Sequence, residues 1–391
     1  MSSRLDKMRL LTPGPTPLPE RVRLALSKDM LHHRKGAFKS VMAEIQRKAR
    51  VLFGTGQDVL TLASSGTGAM VAAMQGMFAP GEKVLVIEGG KFGERWTEIA
   101  RSHGIIPLPL KVPAGQGADP EKVKKILQAD ADIHGVFVQL CETSTGVQHP
   151  VAEIAAITSK TPALLVVDGI SGLGITPCPM DDWGLDALLT GSQKGLMLPP
   201  GLALLALSER AWEKAAAITT GNYYFNLPEE RKNIRKNQTH FTPAIGLLLG
   251  LDESLNLFME AGMDNIFRKQ WALCRMARAG VEAMGLSLFA AQHPAWGVTS
   301  VSLPPRIPAS QVLDIAANSF NVILAAGQGD YKERIVRIGH MGWVDWGDLS
   351  AGLHALAEAC KSLGAEINSG GYLEQALAAY REAWEKGYAS L

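Results

Sequence analysis

The sequence has almost no net charge, no long apolar run, no paired cysteines and no complete dinucleotide fingerprint. Each absence removes a class of function. Lys and Arg number 39 against 38 Asp and Glu, a formal +1, so charge gives no case for nucleic acid or an anionic membrane as the main partner. No apolar stretch approaches the roughly 18 residues that span a bilayer. Cys141, Cys178, Cys274 and Cys360 lie far apart with no CxxC pair. No zinc or iron–sulfur pattern can be drawn from them, and free buried thiols in a reducing compartment are expected. The opening "MSSRLDKMRLLTPGPTP" is broken by proline and has no cleavage-site pattern. The closing Ala-Ser-Leu differs from the peroxisomal Ser-Lys-Leu address. A cytoplasmic protein is expected. Internal repeats and low-complexity segments are also missing.

What is present reads as a soluble α/β protein: 391 residues, 47% apolar and 20% charged, enough for two domains. Near-continuous apolar runs predict strands at Val59–Ala63, Val84–Glu88, Val136–Leu140, Leu164–Asp168, Ala187–Thr190 and Leu202–Leu207. Such runs suit parallel strands covered on both faces. Helical stretches fit between them at Ala69–Phe78, Glu94–His103, Pro120–Gln128 and Ala152–Ser159, giving the β-α-β-α rhythm of an open sheet. Beyond about Asn256 the pattern becomes helix, strand, helix, strand and two further helices, the mark of a smaller α+β unit. The prolines of "TPGPTPLP" exclude helix and central strand, so residues 1–20 predict an extended arm. The expected division is arm 1–20, large domain 21–255 and small domain 256–391.

Ligands of open α/β sheets bind beyond the carboxyl ends of the strands, and the residues predicted there form a set. Ser65, Gly66 and Thr67 of "SSGTGAM" open a helix, where N–H groups and hydroxyls suit a phosphate. The third glycine of a dinucleotide fingerprint is missing, because position 71 is Val. "EGGKFGERW" places Phe92 in a loop near the same edge, "CETSTG" supplies Thr143 and further hydroxyls, and Asp168 ends "LLVVD". Lys194 follows the fifth run in "LLTGSQKGLMLPPG". Singly, each has an ordinary reading: a helix cap, loop packing, a turn residue, a surface lysine. Together they match pyridoxal 5'-phosphate. Lys194 would form a Schiff base with its aldehyde, Asp168 would keep the pyridine nitrogen protonated, and Phe92 would stack on the ring. Thr143 would bind the ring oxygen, and Ser65-Gly66-Thr67 the phosphate.

In order along the chain, "LLTPGPTPLPERV", "SSGTGA", "GKFGERW", "ETSTGV", "LLVVDGISGLG", "GSQKGLMLPPG" and "IVRIGHMG" carry a resemblance. The sequence resembles the class V aminotransferases of fold type I, near the alanine–glyoxylate and serine–glyoxylate or serine–pyruvate enzymes. That resemblance implies a large domain with a mostly parallel seven-stranded sheet between helices, plus a smaller α+β C-terminal domain. It implies ping-pong transfer from alanine or serine to glyoxylate or pyruvate. It assigns Lys194 to the Schiff base, Asp168 to the pyridinium, Thr143 to the ring hydroxyl and Gln193 to the phosphate side. Phe92 stands where close relatives carry a stacking Trp. Arg337 matches the arginine that grips the substrate carboxylate, a bidentate task suited to guanidinium, and Gly14 would lie near the substrate. A homodimer is implied, in which Thr242, or Thr239 if the alignment slips, reaches the partner's phosphate.

Three other readings are weighed against this one. Desulfurases carry a histidine before the lysine and one over the ring, where this chain has Gln193 and Phe92. Aminoethylphosphonate transaminases typically show Asn before the lysine. Some relatives are labelled as a hydrogenase subunit, which would make the chain a non-catalytic accessory. His32-His33-Arg34 resembles a metal or phosphate site, but on a helix or strand adjacent histidines point different ways, and a surface or substrate-entrance charge is the simpler reading. Trp343 and Trp346 are expected in cores or interfaces, and Cys141 as a packed thiol.

Overall fold

The computed structural model describes residues 7–218 and 222–388. Residues 1–6 of the expected arm and the terminal Ala-Ser-Leu lie outside the described residues.

Seven strands build the main sheet: β1 (Val59–Leu62), β2 (Lys83–Glu88), β3 (Ile106–Lys111), β4 (Ile133–Gln139), β5 (Leu164–Asp168), β6 (Ala187–Gly191) and β7 (Ala203–Leu207). Their spatial order is β1-β7-β6-β5-β4-β2-β3. The β3-β2-β4-β5-β6 run is parallel. Every residue of β5, β6 and β7 is buried. Successive side chains face opposite sides of a sheet, so total burial means that both faces are covered. One expectation needs correcting: β7 runs antiparallel to both β1 and β6. An apolar run reports burial on two faces and carries no information on strand direction.

β3 is a strand that the apolar pattern does not predict. Its sequence, IPLPLK, holds two prolines and is partly exposed along its length. It occupies the sheet edge beside β2, where one side needs no ladder partner and proline is tolerated.

The first core draws its buried residues from Val22 to Phe258. The helix Ile245–Ala261 supplies Leu248, Leu251, Leu255 and Phe258 to it, so a division after residue 255 falls inside a helix. The second core combines Leu11 of the arm with residues from Leu273 to Ala376. It surrounds an antiparallel sheet of four strands, Ser287–Leu288, Val298–Ser302, Ile335–Gly339 and Ala325–Ala326 in that spatial order.

The arm joins the two units. Arg9–Leu10 pairs in parallel with Val322–Ile323 beside the second core, and the chain then crosses to the carboxyl end of β6. Leu11 is fully buried; burying such a side chain contributes about 1.5–3 kcal/mol. No helix among the described residues is long and apolar enough to cross a membrane.

His32 and His33 depart from expectation. They lie outside helix and strand, where alternation does not hold, and their rings stack at 5.1 Å with 5° between planes. Trp343 and Trp346 are 48% and 53% exposed, so neither belongs to a core of this chain.

Candidate active site

Parallel strands deliver their carboxyl ends to one edge, and there the chain buries charge. β5 ends on Asp168, 3% exposed. Its Oδ1 accepts one hydrogen bond, 2.8 Å from the Ile170 amide, and no other described residue hydrogen-bonds the carboxylate. Burial pushes Asp168 up to about 7, against the Ile170 bond and the nearby Lys194 cation.

Lys194 follows β6. Burial draws its amine from the ordinary 10.5 down to about 8, while Cys141 and Asp168 favour the charged form and Arg337 and Arg95 oppose it. The amine donates to the Pro13 carbonyl at 2.5 Å. The arm grips the same turn by its backbone. The Thr16 hydroxyl donates to the Lys194 carbonyl at 2.9 Å, and the Thr16 amide to the Gln193 carbonyl at 3.1 Å. Gly14, at φ +142°, passes so close that a Cβ there would lie 2.6 Å from Lys194 Cε and Nζ. Only glycine adopts that backbone freely and leaves that room.

Arg337 sits on the central strand Ile335–Gly339 of the small sheet, 7% exposed. Its Nε donates to the Ala326 carbonyl at 2.8 Å and its Nη1 to the Thr143 carbonyl at 2.9 Å. No carboxylate pairs with it among the described residues. Burial draws it below its ordinary value, and neighbouring Glu142 and Cys141 resist that. The contact with Thr143 brings both cores to one site. The Thr143 hydroxyl donates to Ser171 Oγ at 2.7 Å.

Phe92 lies in the first turn of the helix Lys91–Ser102, not in a loop. The Arg95 guanidinium covers one face of its ring at 4.9 Å and donates to Thr67 Oγ1 at 3.1 Å. At the helix Gly66–Met77, Ser65 makes no side-chain cap, which leaves first-turn N–H groups without side-chain partners. Gly66 is packed so tightly that a Cβ would meet Ile170 Cδ1 at 2.5 Å. Gln193 keeps its side-chain oxygen buried with no hydrogen-bond partner among the described residues. Cys141 is a packed thiol, pushed up to about 12 by burial.

Thr239 and Thr242 line a small cavity with Thr61, Tyr224 and Phe241, away from Lys194. Thr239 is buried and its hydroxyl donates to the Phe241 carbonyl at 2.6 Å. Thr242 is exposed. Neither touches the Lys194 cluster within one chain.

Two residues of this site escaped the sequence pattern. Arg95 follows Phe92 by three positions, one helical turn, so its placement over the ring was legible once the segment is known to be helical. Glu142 gave a weaker signal, an acid directly before three hydroxyls in "ETSTG".

A buried lysine of lowered basicity, a buried acid with one donor, an arginine with no acid and an uncapped helix start fit one ligand type. It carries an anion, a ring that presents a cation to Asp168 and a group reactive toward amines, and pyridoxal phosphate has all three. The fold and these residues define a pyridoxal-phosphate enzyme of fold type I. Residues 10–331 match the class V aminotransferase family, and the chain belongs to it; it is a transaminase that uses pyridoxal 5'-phosphate. It is 33% identical over 395 residues to serine–glyoxylate aminotransferase of Methylorubrum extorquens, covering 97% of each chain. It is 37% identical over 372 residues to a protein of Anabaena cylindrica named soluble hydrogenase 42 kDa subunit, covering 93% of this chain and 96% of that one. Pyridoxamine–pyruvate aminotransferase of Mesorhizobium loti shares the fold at a TM-score of 0.93 and 27% identity, covering 98% of this chain and 99% of that one. The accessory-subunit alternative is not favoured, because the chain belongs to the class V aminotransferases.

Proposed function

We propose that this transaminase moves the amino group of a small amino acid, alanine or serine, to glyoxylate or pyruvate, with Lys194 as its acid–base group. The observation that carries this reading is Arg337, a buried guanidinium without an acid partner on the same edge as Lys194 and Asp168. A monoanionic carboxylate supplies its missing countercharge. The Methylorubrum relative, a serine–glyoxylate aminotransferase, supports the choice of serine and glyoxylate.

Bound at this edge, pyridoxal phosphate supplies an aldehyde that takes up amines and a protonated ring that draws electrons from the substrate's α-carbon. Asp168 would hold the ring proton by its charge. Ser65, Gly66, Thr67 and Gln193 would hold the phosphate, Phe92 would offer the cofactor ring the face of its own ring that Arg95 leaves open, and Thr143 would hold the ring oxygen. Lys194 Nζ takes the α-proton of the donor and later returns a proton. An amine near 8 is deprotonated in useful amount at neutral pH. Gly14 and Pro13 roof the amine and limit donor size.

Absorbance tests the lysine. The purified or reconstituted protein is expected to show a visible band that borohydride bleaches, and Lys194→Ala is expected to lose both band and activity. A Lys194→Ala protein that transfers amino groups at the normal rate would refute the assignment.

We also infer a homodimer in which Thr242 of each chain meets the other's phosphate site. Thr242 is exposed beside an aromatic cluster, Tyr223, Tyr224 and Phe241, whose outermost ring is 84% exposed. Thr239, already bonded internally, is the weaker candidate. Sedimentation velocity should return the mass of two chains; a monomer with full activity contradicts the inference. The four separated, buried, free cysteines support a reducing compartment such as the cytoplasm.

A further inference from the structure

Glu142 is fully buried and has no assigned role, yet four donors converge on its carboxylate. The Phe92 and Gly93 amides reach Oε2 at 3.1 and 3.0 Å. The Ser144 amide and hydroxyl reach Oε1 at 3.1 and 2.5 Å. The Ser144 hydroxyl oxygen in turn accepts from the Lys91 amide at 3.1 Å. Gly90 makes the approach possible, because a Cβ there would lie 2.7 Å from the Glu142 carboxyl carbon.

Every one of these partners donates, so the carboxylate accepts throughout and takes the place of a cap on the helix Lys91–Ser102. Phe92 is the second residue of that helix. The residue after Glu142 is Thr143, whose carbonyl takes Arg337. One side chain thus ties the ring-stacking segment to the hydroxyl segment, and through it to the arginine of the small domain. Among the described residues Arg337 has no ion pair, and Glu142 is the neighbouring acid that most favours its charge.

We propose that Glu142 is a positioning residue for amino transfer: it sets Phe92 against the cofactor ring and, through the backbone of the adjoining Thr143, fixes the carbonyl on which Arg337 is seated. This rests on the functional reading above. Glutamine has the same shape, but its NH₂ would face N–H donors that a carboxylate accepts. Losing such charge-assisted bonds is worth about tenfold or more in an equilibrium.

The test uses Glu142→Gln and Ser144→Ala. Pyridoxal phosphate is titrated into each apoprotein and followed by quenching of tryptophan fluorescence, and steady-state kinetics are measured with serine and alanine. For Glu142→Gln, cofactor Kd and donor KM are each expected to rise about tenfold, with KM changing more than kcat. Ser144→Ala, which removes one of the four donors, is expected to move both about threefold in the same direction. Cofactor Kd and donor KM within about twofold of wild type in a folded Glu142→Gln protein, with only thermal stability lowered, would leave Glu142 a purely structural cap and overturn the proposal. Should Glu142→Gln not fold, unchanged Kd and KM in Ser144→Ala overturn it equally. Failure of the underlying reading looks different: the wild-type holoenzyme itself would turn over neither serine nor alanine.

Discussion

Two carboxylates are buried a few residues apart in the fold, one at the end of β5 and one just after β4, and they are solvated in opposite ways. Asp168 receives one amide hydrogen bond. Glu142 receives three amide bonds and a hydroxyl. Burial pushes both upward. For Glu142 the protein supplies its own donors, which stabilise a buried anion as water would. For Asp168 it does not, and the missing countercharge must come from a ligand. Within one site, the saturated acid organises the protein and the undersaturated acid waits for chemistry.

The largest effect is expected from removing the undersaturated charge. Asp168→Asn keeps the shape but not the charge and should lower amino-transfer kcat by about 10²–10³, corresponding to the 2–5 kcal/mol lost when one partner of a buried charge pair is removed. The apoprotein should behave in the opposite way, with Asp168→Asn as stable as wild type or more so, because an unpaired buried charge is costly. Asp168 has a folded value near 7, above its ordinary 3.8, so the native state holds a proton that the unfolded chain has released. Its contribution to apoprotein stability is complete below about pH 4 and is lost as pH rises through 7. Thermal unfolding across that window should flatten in Asp168→Asn. A wild-type apoprotein with no such slope would erase the contrast with Glu142.

Next comes Arg337, the cation that the same edge leaves without an acid. Arg337→Ala should raise donor KM by roughly two orders of magnitude, consistent with about 2–5 kcal/mol for a buried charge contact. Arg337→Lys should recover only part of it, because a point charge lacks the guanidinium fork. Normal donor KM in Arg337→Ala would place the carboxylate elsewhere.

The smallest effect is expected in the arm. Gly14→Ala combines a left-handed backbone position with a collision against Lys194, strain of about 1–3 kcal/mol. It should appear as weaker cofactor uptake by the apoprotein, measured by titration, with the two cores unfolding nearly as before.

Much of the scaffold was legible in the chain. The apolar runs of β1, β2 and β4–β7 are as long as they are because both faces of each strand are buried, so burial alone marks them. β3 was not legible, since an edge strand with IPLPLK alternates in exposure and carries prolines that a central strand would exclude. The direction of β7 was not legible either, because pairing direction depends on how the chain returns, not on what it buries. Lys194 and Asp168 could be singled out as charged residues at the ends of apolar runs. Arg337, Gln193, Gly14 and Thr242 rested on family resemblance alone, and of these only Thr242 lies apart from the lysine within a single chain.

The sequence by itself determined which groups would be buried at the strand ends, because hydrophobic runs carry the residues at their ends into the core whatever the rest of the chain does. Only the tertiary structure decided which of those groups were already satisfied. Two of the four hydrogen bonds to Glu142 come from residues about 50 positions away, and the acceptor for Lys194 lies 181 positions away in the arm. Neither distance is encoded in local pattern. Hydrogen bonding acts over about 3 Å, so the difference between a carboxylate that holds the protein together and one that awaits a ligand exists only after the chain has folded.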